Sequence, residues 1–201
     1  MKKIITKYFL LITTLIVLII FYLSVVGLET DRFNKQIKDK VAQSNKNLVI
    51  KLKKIKLTLD PLKFKINAKT VGTNIVYKGK RLELEYIKTH ISLNSLIKNK
   101  FISSNLDLST KPILVRDLVT FIRVTTNKPE LFILESEIKK GQVIANVELN
   151  FDKSGKIKKD YKISAILKDG KIGLSNNYNF EKINFFLDIK DNILKFEDLS
   201  F

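Results

Sequence analysis

The chain has 201 residues and a formal charge of +17, from 37 Lys+Arg against 20 Asp+Glu. It has no cysteine, which excludes disulfides, thiolate-bound zinc and thiol catalysis. Only Arg32, Arg81, Arg116 and Arg123 are arginines, whereas nucleic-acid readers use arginine forks as well as lysine, so nucleic acid is not an expected partner. Abundant Lys, Ile and Asn together are also what an AT-rich coding sequence produces. The remaining positive excess favours an anionic surface such as lipid headgroups.

Residues 8–27, "YFLLITTLIVLIIFYLSVVG", contain no charge. As a helix they reach roughly 30 Å, the thickness of the hydrocarbon layer, with Tyr8 and Tyr22 toward the ends, where amphipathic rings favour the interface. The run exceeds the apolar core of a cleaved signal peptide, so we read it as an uncut single-pass anchor. The basic tail before it, residues 1–7 with Lys2, Lys3 and Lys7, is expected in the cytoplasm. The bulk is then exported, to the periplasm if the cell is Gram-negative, with the anchor in the inner membrane. Residues 28–47 come next as an amphipathic helix and linker. Thr30 or Asp31 is the expected cap. Phe33, Ile37 and Val41 share one face by their spacing of four. That helix packs on one edge of a sheet formed by the later residues, or plugs one end of an apolar trough.

From Leu48 the period changes to two. Leu48, Ile50 and Leu52 alternate, then Ile55, Leu57 and Leu59 after a slip of one residue, which predicts a bulge or bend. Asp60-Pro61 predicts a turn, with Leu62, Phe64, Ile66 and Ala68 as the next apolar set. "YKGKR" predicts a hairpin tip. Leu82, Leu84 and Tyr86 alternate, then Ile87, Thr89, Ile91 and Leu93 after a second slip. "NSLIKNK" reads as a helical turn, "FISSNLDLST" as a strand and "RDLVTFIRV" as a short helix ended by Asn127-Lys128-Pro129. Val143, Ala145, Val147, Leu149 and Phe151 alternate strictly. Tyr161, Ile163, Ala165 and Leu167 do the same after the "DKSGK" turn. "KDGK" predicts a hairpin. Ile172, Leu174, Ile183, Phe185, Leu187, Ile189, Leu194 and Phe196 continue the pattern. The expectation is mainly β: a long twisted antiparallel sheet of about ten strands over residues 48–201. The last ribbon runs into the C-terminus without a turn, the pattern of a sheet truncated partway through a longer repeat.

Each ribbon turns two to four apolar side chains to one face. A Leu or Phe left in water costs about 1.5–3 kcal/mol relative to burial. A bare face would therefore cost on the order of tens of kcal/mol, against a usual stability of about 5–15. A second sheet (a sandwich or closed barrel), helices, for which too few residues read as helical, or lipid could cover it, and the alternation serves a sandwich and a lipid-holding trough equally.

The segment "KKIKLTLDPLKFKINAKTVG" running to "LELEYIKTHISLNSLIKNKFISSNLDLS", behind a basic tail, one apolar helix and an amphipathic segment, resembles the start of AsmA-like, TamB-type envelope proteins, relatives of the bridge-like lipid-transfer proteins. The carrying residues are Leu59-Asp60-Pro61-Leu62 before a strand and Ser92-Leu93-Asn94-Ser95-Leu96 before "KNKFI". "GQVIANVELNFDKSGKIKKDYKISAILKDGKI" is similar to an internal stretch of some members. The resemblance implies a sheet curled into an apolar β-groove that binds or transports phospholipid across the cell envelope, and a role in outer-membrane biogenesis. The groove lining would be Leu57, Leu59, Leu62, Phe64, Ile66, Leu82, Leu84, Ile91, Leu93, Val147, Leu149, Ile163 and Leu187, with Phe33, Ile37 and Val41 on a helix at the groove end. Outward lysines such as Lys51, Lys63, Lys65 and Lys69 keep the other side soluble or attract anionic headgroups. The competing reading is an anchored β-scaffold that assists outer-membrane or envelope protein assembly through an exposed strand edge.

No cofactor, metal site or enzyme activity is expected. His90 stands without a second histidine and reads as a surface strand residue. No HExxH, GxSxG or phosphate-binding loop occurs. The acid pairs Glu83/Glu85 and Glu135/Glu137 read as solvated strand alternation.

Overall fold

A computed structural model describes residues 2–93, 103–152, 157–175, 178–191 and 193–201. "NSLIKNK", most of "DKSGK", and Asn176-Asn177 lie outside the described residues. Helix α1 (Lys2–Val25) begins earlier than the charge-free run. Its stretch Ile4–Val25 is long and apolar enough to cross a membrane. The hydroxyls of Thr13, Thr14 and Ser24 each donate to the carbonyl four residues back, at 2.9, 2.9 and 2.7 Å, so these three hydroxyls are satisfied within the helix.

Gly27 stops α1. Its φ of +75° is left-handed, and a Cβ there would lie 2.4 Å from the Leu57 carbonyl oxygen, so only glycine fits. The chain then enters the sheet at once as β1 (Leu28–Thr30), a strand where the sequence suggested only linker. Helix α2 (Asn34–Ser44) follows. The expected caps act differently: the Thr30 hydroxyl accepts from the Arg32 N–H at 3.2 Å, ahead of the helix, and the Asp31 carbonyl accepts from the Asn34 N–H at 2.9 Å.

The strands are β2 (Leu48–Lys51), β3 (Lys54–Asp60), β4 (Lys65–Val71), β5 (Thr73–Tyr77), β6 (Lys80–Ser92), β7 (Ser103–Thr110), β8 (Ile113–Leu114), β9 (Ile138–Asn150), β10 (Lys162–Ser175), β11 (Tyr178–Lys190) and β12 (Ile193–Ser200). With β1 they form one twelve-stranded antiparallel sheet along β1-β3-β4-β6-β7-β9-β10-β11-β12, with β2–β5 beside β6 and β8 beside β9. β1 and β12 are its two ends, so the sheet is not closed. Substantial strand-to-strand contact occurs between hydrogen-bonded neighbours. Neither the second sheet nor the closed barrel considered from the sequence forms among the described residues.

The turns behave as their residues require. Lys78 and Gly79, with φ of 46° and 78°, close the β5–β6 hairpin, the pattern of a type I′ loop. The Asp60 carboxylate accepts from the Lys63 N–H at 3.1 Å and holds the β3–β4 turn. "KDGK" is a correction. β10 runs straight through it, and the register shifts on either side of Gly170 mark a bulge. The left-handed φ that Asp169 adopts (52°) suits a bulge as well as a turn.

Helix α3 (Val115–Thr126) ends at left-handed Asn127 (φ 53°, ψ 42°), as its sequence predicts. Helix α4 (Leu131–Glu137) was not legible, and Glu135 and Glu137 lie on it and not on a strand. It is tied to α3 by Arg123 Nε donating to Glu135 Oε2 at 2.7 Å, with both side chains largely buried. That bond holds the Glu135 carboxyl below its usual range, against the opposing effect of burial.

α3 packs on β9 and β6. Val143, Ala145 and Ala165 are buried there, with Ile113, Val115, Leu118 and Leu187 against them. Leu84 is fully enclosed at 0% exposure. Leu84→Ala should therefore lower the unfolding free energy by about 2–5 kcal/mol in urea titrations, and Leu149→Ala by clearly less. Equal losses at both positions would mean that the apolar side is sealed along its whole length.

Candidate functional site

Residues paired across a ladder stand on the same face of the sheet. One row runs Leu28, Leu57, Ala68, Thr89, Leu106 and Leu149 across β1, β3, β4, β6, β7 and β9. The next runs Ile87, Leu108, Val147, Ile163, Ile189 and Leu194 from β6 to β12. Ala145, Ala165, Leu187 and Phe196 make a third. Leu59, Ile66 and Ile91 add a short row at the anchor side of the sheet. These rows share one apolar face.

The opposite face carries the converse. Glu29, Lys56, Lys69, Lys88, Asp107, Glu148, Lys162 and Lys190 form an unbroken charged row across eight strands. Sequence reasoning saw lysine spread along the strands but not this row, because only the register brings these side chains together.

Two creases keep the faces in phase. In the first, the apolar set steps three residues, from Leu52 to Ile55, Thr70 to Thr73 and Leu84 to Ile87. Both slips read from the sequence fall here. Gly72, with φ +63° against the Lys53 side chain, serves this crease. The second crosses β9–β12, where Gly141, Asp169, Lys182 and Asp198 each take a positive φ.

Of the anticipated lining residues, Leu57, Leu59, Ile66, Ile91, Val147, Leu149, Ile163 and Leu187 lie on the apolar face and are half-buried. Leu82 and Leu84 lie there too but are buried at the α3 end. Leu62 and Phe64 do not belong to a strand. They occupy the β3–β4 turn, 92% and 67% exposed, because β4 starts only at Lys65. Leu93 lies just past β6, and its N–H donates to the Phe64 carbonyl at 3.0 Å. Leu106, Leu108, Ile189 and Phe196 complete the face. Ile37 and Val41 are half-buried on α2, which packs on β2, while Phe33 stays 41% exposed. Asn34 Nδ2 fixes α2 at the first crease by donating to the Leu52 and Lys53 carbonyls at 3.4 and 2.9 Å.

Among the described residues no group of three or more metal-ligating side chains occurs. No family model matches the chain, and no curated protein or solved structure matches it.

His90 sits on the charged face. Its ring nitrogen Nδ1 bonds the Asn67 side-chain oxygen, and its backbone N–H donates to Asn105 Oδ1 at 3.3 Å. Burial lowers its pKa, helped by the positive charge of Lys88, Lys65 and Lys63 and opposed by Asp107. The unfolded chain therefore takes up this proton first, so the contribution of His90 is intact above its ordinary pKa of 6.5 and drains as pH falls below it. Thermal melts between neutral and mildly acidic pH should show this slope in the wild type and lose it in His90→Asn. An identical slope in the variant would remove His90 from the account.

Proposed function

We propose that the chain is a bilayer-anchored sheet protein whose apolar face shelters the acyl chains of phospholipid, in the manner of the AsmA-like proteins. On this reading α1 spans the inner membrane with its N-terminus in the cytoplasm, and the sheet lies in the periplasm, curled into a groove. The observation that carries the reading is the uneven cover of the apolar rows. α3 and α4 sit at one end and α2 beside β2. The central rows through Leu57, Leu106, Leu149 and Val147 have no second layer among the described residues. Toward β12 the face opens further, with Leu194 and Phe196 52% and 55% exposed.

An apolar face of this extent next to a membrane-length helix suits hydrocarbon tails. Burying apolar surface returns about 25 cal/mol per Å², and a lipid tail supplies that cover without a second layer of chain. The charged row on the other face keeps the outer side wet.

A second reading has its own support. Every residue of β12 is exposed, including Ile193 and Leu199 at 59% and 58%. Its unpaired edge offers backbone groups to an envelope protein by strand addition.

Protein purified in mild detergent should carry phospholipid detectable by mass spectrometry. Leu149→Asp should reduce that lipid at least several-fold while the melting temperature changes little, whereas Leu84→Asp should unfold the protein. Lipid-free protein of undiminished stability, or parallel collapse of both variants, would end the lipid reading. Cross-links to protein and never to lipid, mapping to β12, would favour the second.

A further inference from the structure

We infer that the β3–β4 turn, Leu62-Lys63-Phe64, is a finger that enters the headgroup layer of the same bilayer that holds α1. The inference rests on the anchored part of the reading above, and is independent of whether the apolar face carries lipid.

Topology places the finger. β1 pairs antiparallel with β3, and Leu28, the first strand residue after α1, stands opposite Leu57. β1 runs from there toward Ile55, so α1 arrives from the side toward which β3 runs. α1 contacts β3, and Leu23 and Ser24 in its last turn are half-buried, while residues 4–22 of the shaft are exposed. β3 continues three residues beyond Leu57 to Asp60, about 10 Å at the usual strand rise, and the turn lies at its tip. The interfacial layer outside the hydrocarbon is of similar depth, about 5–10 Å.

Asp60-Pro61 suits this turn, but Leu62 and Phe64 at its tip do not suit a turn in water. Turns favour glycine, asparagine and aspartate. Here Leu62 is 92% exposed and Phe64 67% exposed. Phe64 also takes φ +50°, a conformation unfavourable for a bulky residue. The fold uses its carbonyl, which accepts from Leu93, and leaves its ring outside.

Charge commits the partner to an anionic bilayer. Lys63 and Lys65 flank Phe64, and Lys56, Lys69 and Lys88 stand side by side on the charged face of the same three strands. Lysines set beside apolar residues at a membrane surface are the pattern of interfacial insertion into anionic lipid.

The chain has no tryptophan, so Phe64→Trp introduces a single probe. The full chain would be reconstituted in nanodiscs of phosphatidylcholine and phosphatidylglycerol containing lipid spin-labelled near the top of the acyl chain. Tyr178→Trp serves as control, at an exposed site at the opposite end of the strands. The expected result is blue-shifted Phe64→Trp emission, quenched at least two-fold more than the control, and less so in discs of phosphatidylcholine alone. Equal quenching at both sites would overturn the inference. So would blue-shifted emission that lipid labels leave unquenched, which would assign the finger to a protein partner or a second copy. Failure of the chain to enter discs would overturn both this inference and the anchored reading. Quenching by protein whose apolar face proves lipid-free would uphold the finger and remove only lipid carriage.

Discussion

Phase across the ladders is the constraint on which this structure depends. A strand shows alternate residues to opposite faces, and a slip of one residue in a single strand would exchange them. Leu106 stays beside Leu149, and Asp107 beside Glu148, only because β7 and β9 hold one register. At the first crease β3/β4 and β5/β6 step together and keep register, whereas β6 against β7, and β10 against β9 and β11, step at offset levels and leave register shifts. The first crease takes the odd step in three adjacent strand lines together, and the second passes through β9 to β12. The creases admit extra residues without mixing the faces of the sheet.

That phase sets an energetic asymmetry. At the α3 end, helix and sheet enclose Leu84, Val143, Ala145 and Ala165 as an ordinary core. Elsewhere most apolar side chains of the face are half-buried, and Leu28, Leu194 and Phe196 are exposed. The fold therefore has one enclosed end and a long run of apolar face without a second layer among the described residues. The Arg123–Glu135 pair at 2.7 Å fixes the helical lid to itself and not to the open run.

Much of this was legible in the sequence wherever a local signal decides the outcome. Alternation located the apolar residues of β3, β6, β9 and β11. Both slips near Leu52 and Tyr86 found the first crease, and Lys78-Gly79 and Asp60-Pro61 turn as their residues dictate. The failures share a cause. Asp169-Gly170 offers the same left-handed backbone to a hairpin and to a bulge, and only pairing with β9 and β11 decides between them. α4 spans seven residues, too few to show a helical period, and is held by a contact twelve residues away in Arg123. β1 has three residues and exists because β3 is there to pair with it. Whether a second layer covers the apolar face is a long-range fact that no alternation encodes. The charged row and the exposed position of Phe64 are equally products of register and turn placement.

The bulge at Asp198 has a consequence for solubility. A flat strand end bearing Leu194, Phe196 and Leu199 is a template for runaway cross-β stacking. The left-handed step at Asp198 (φ 54°) breaks register with β11 after Glu197. Lys195, Glu197 and Asp198, set among the apolar residues, add the charges that blunt an exposed edge against edge-to-edge pairing.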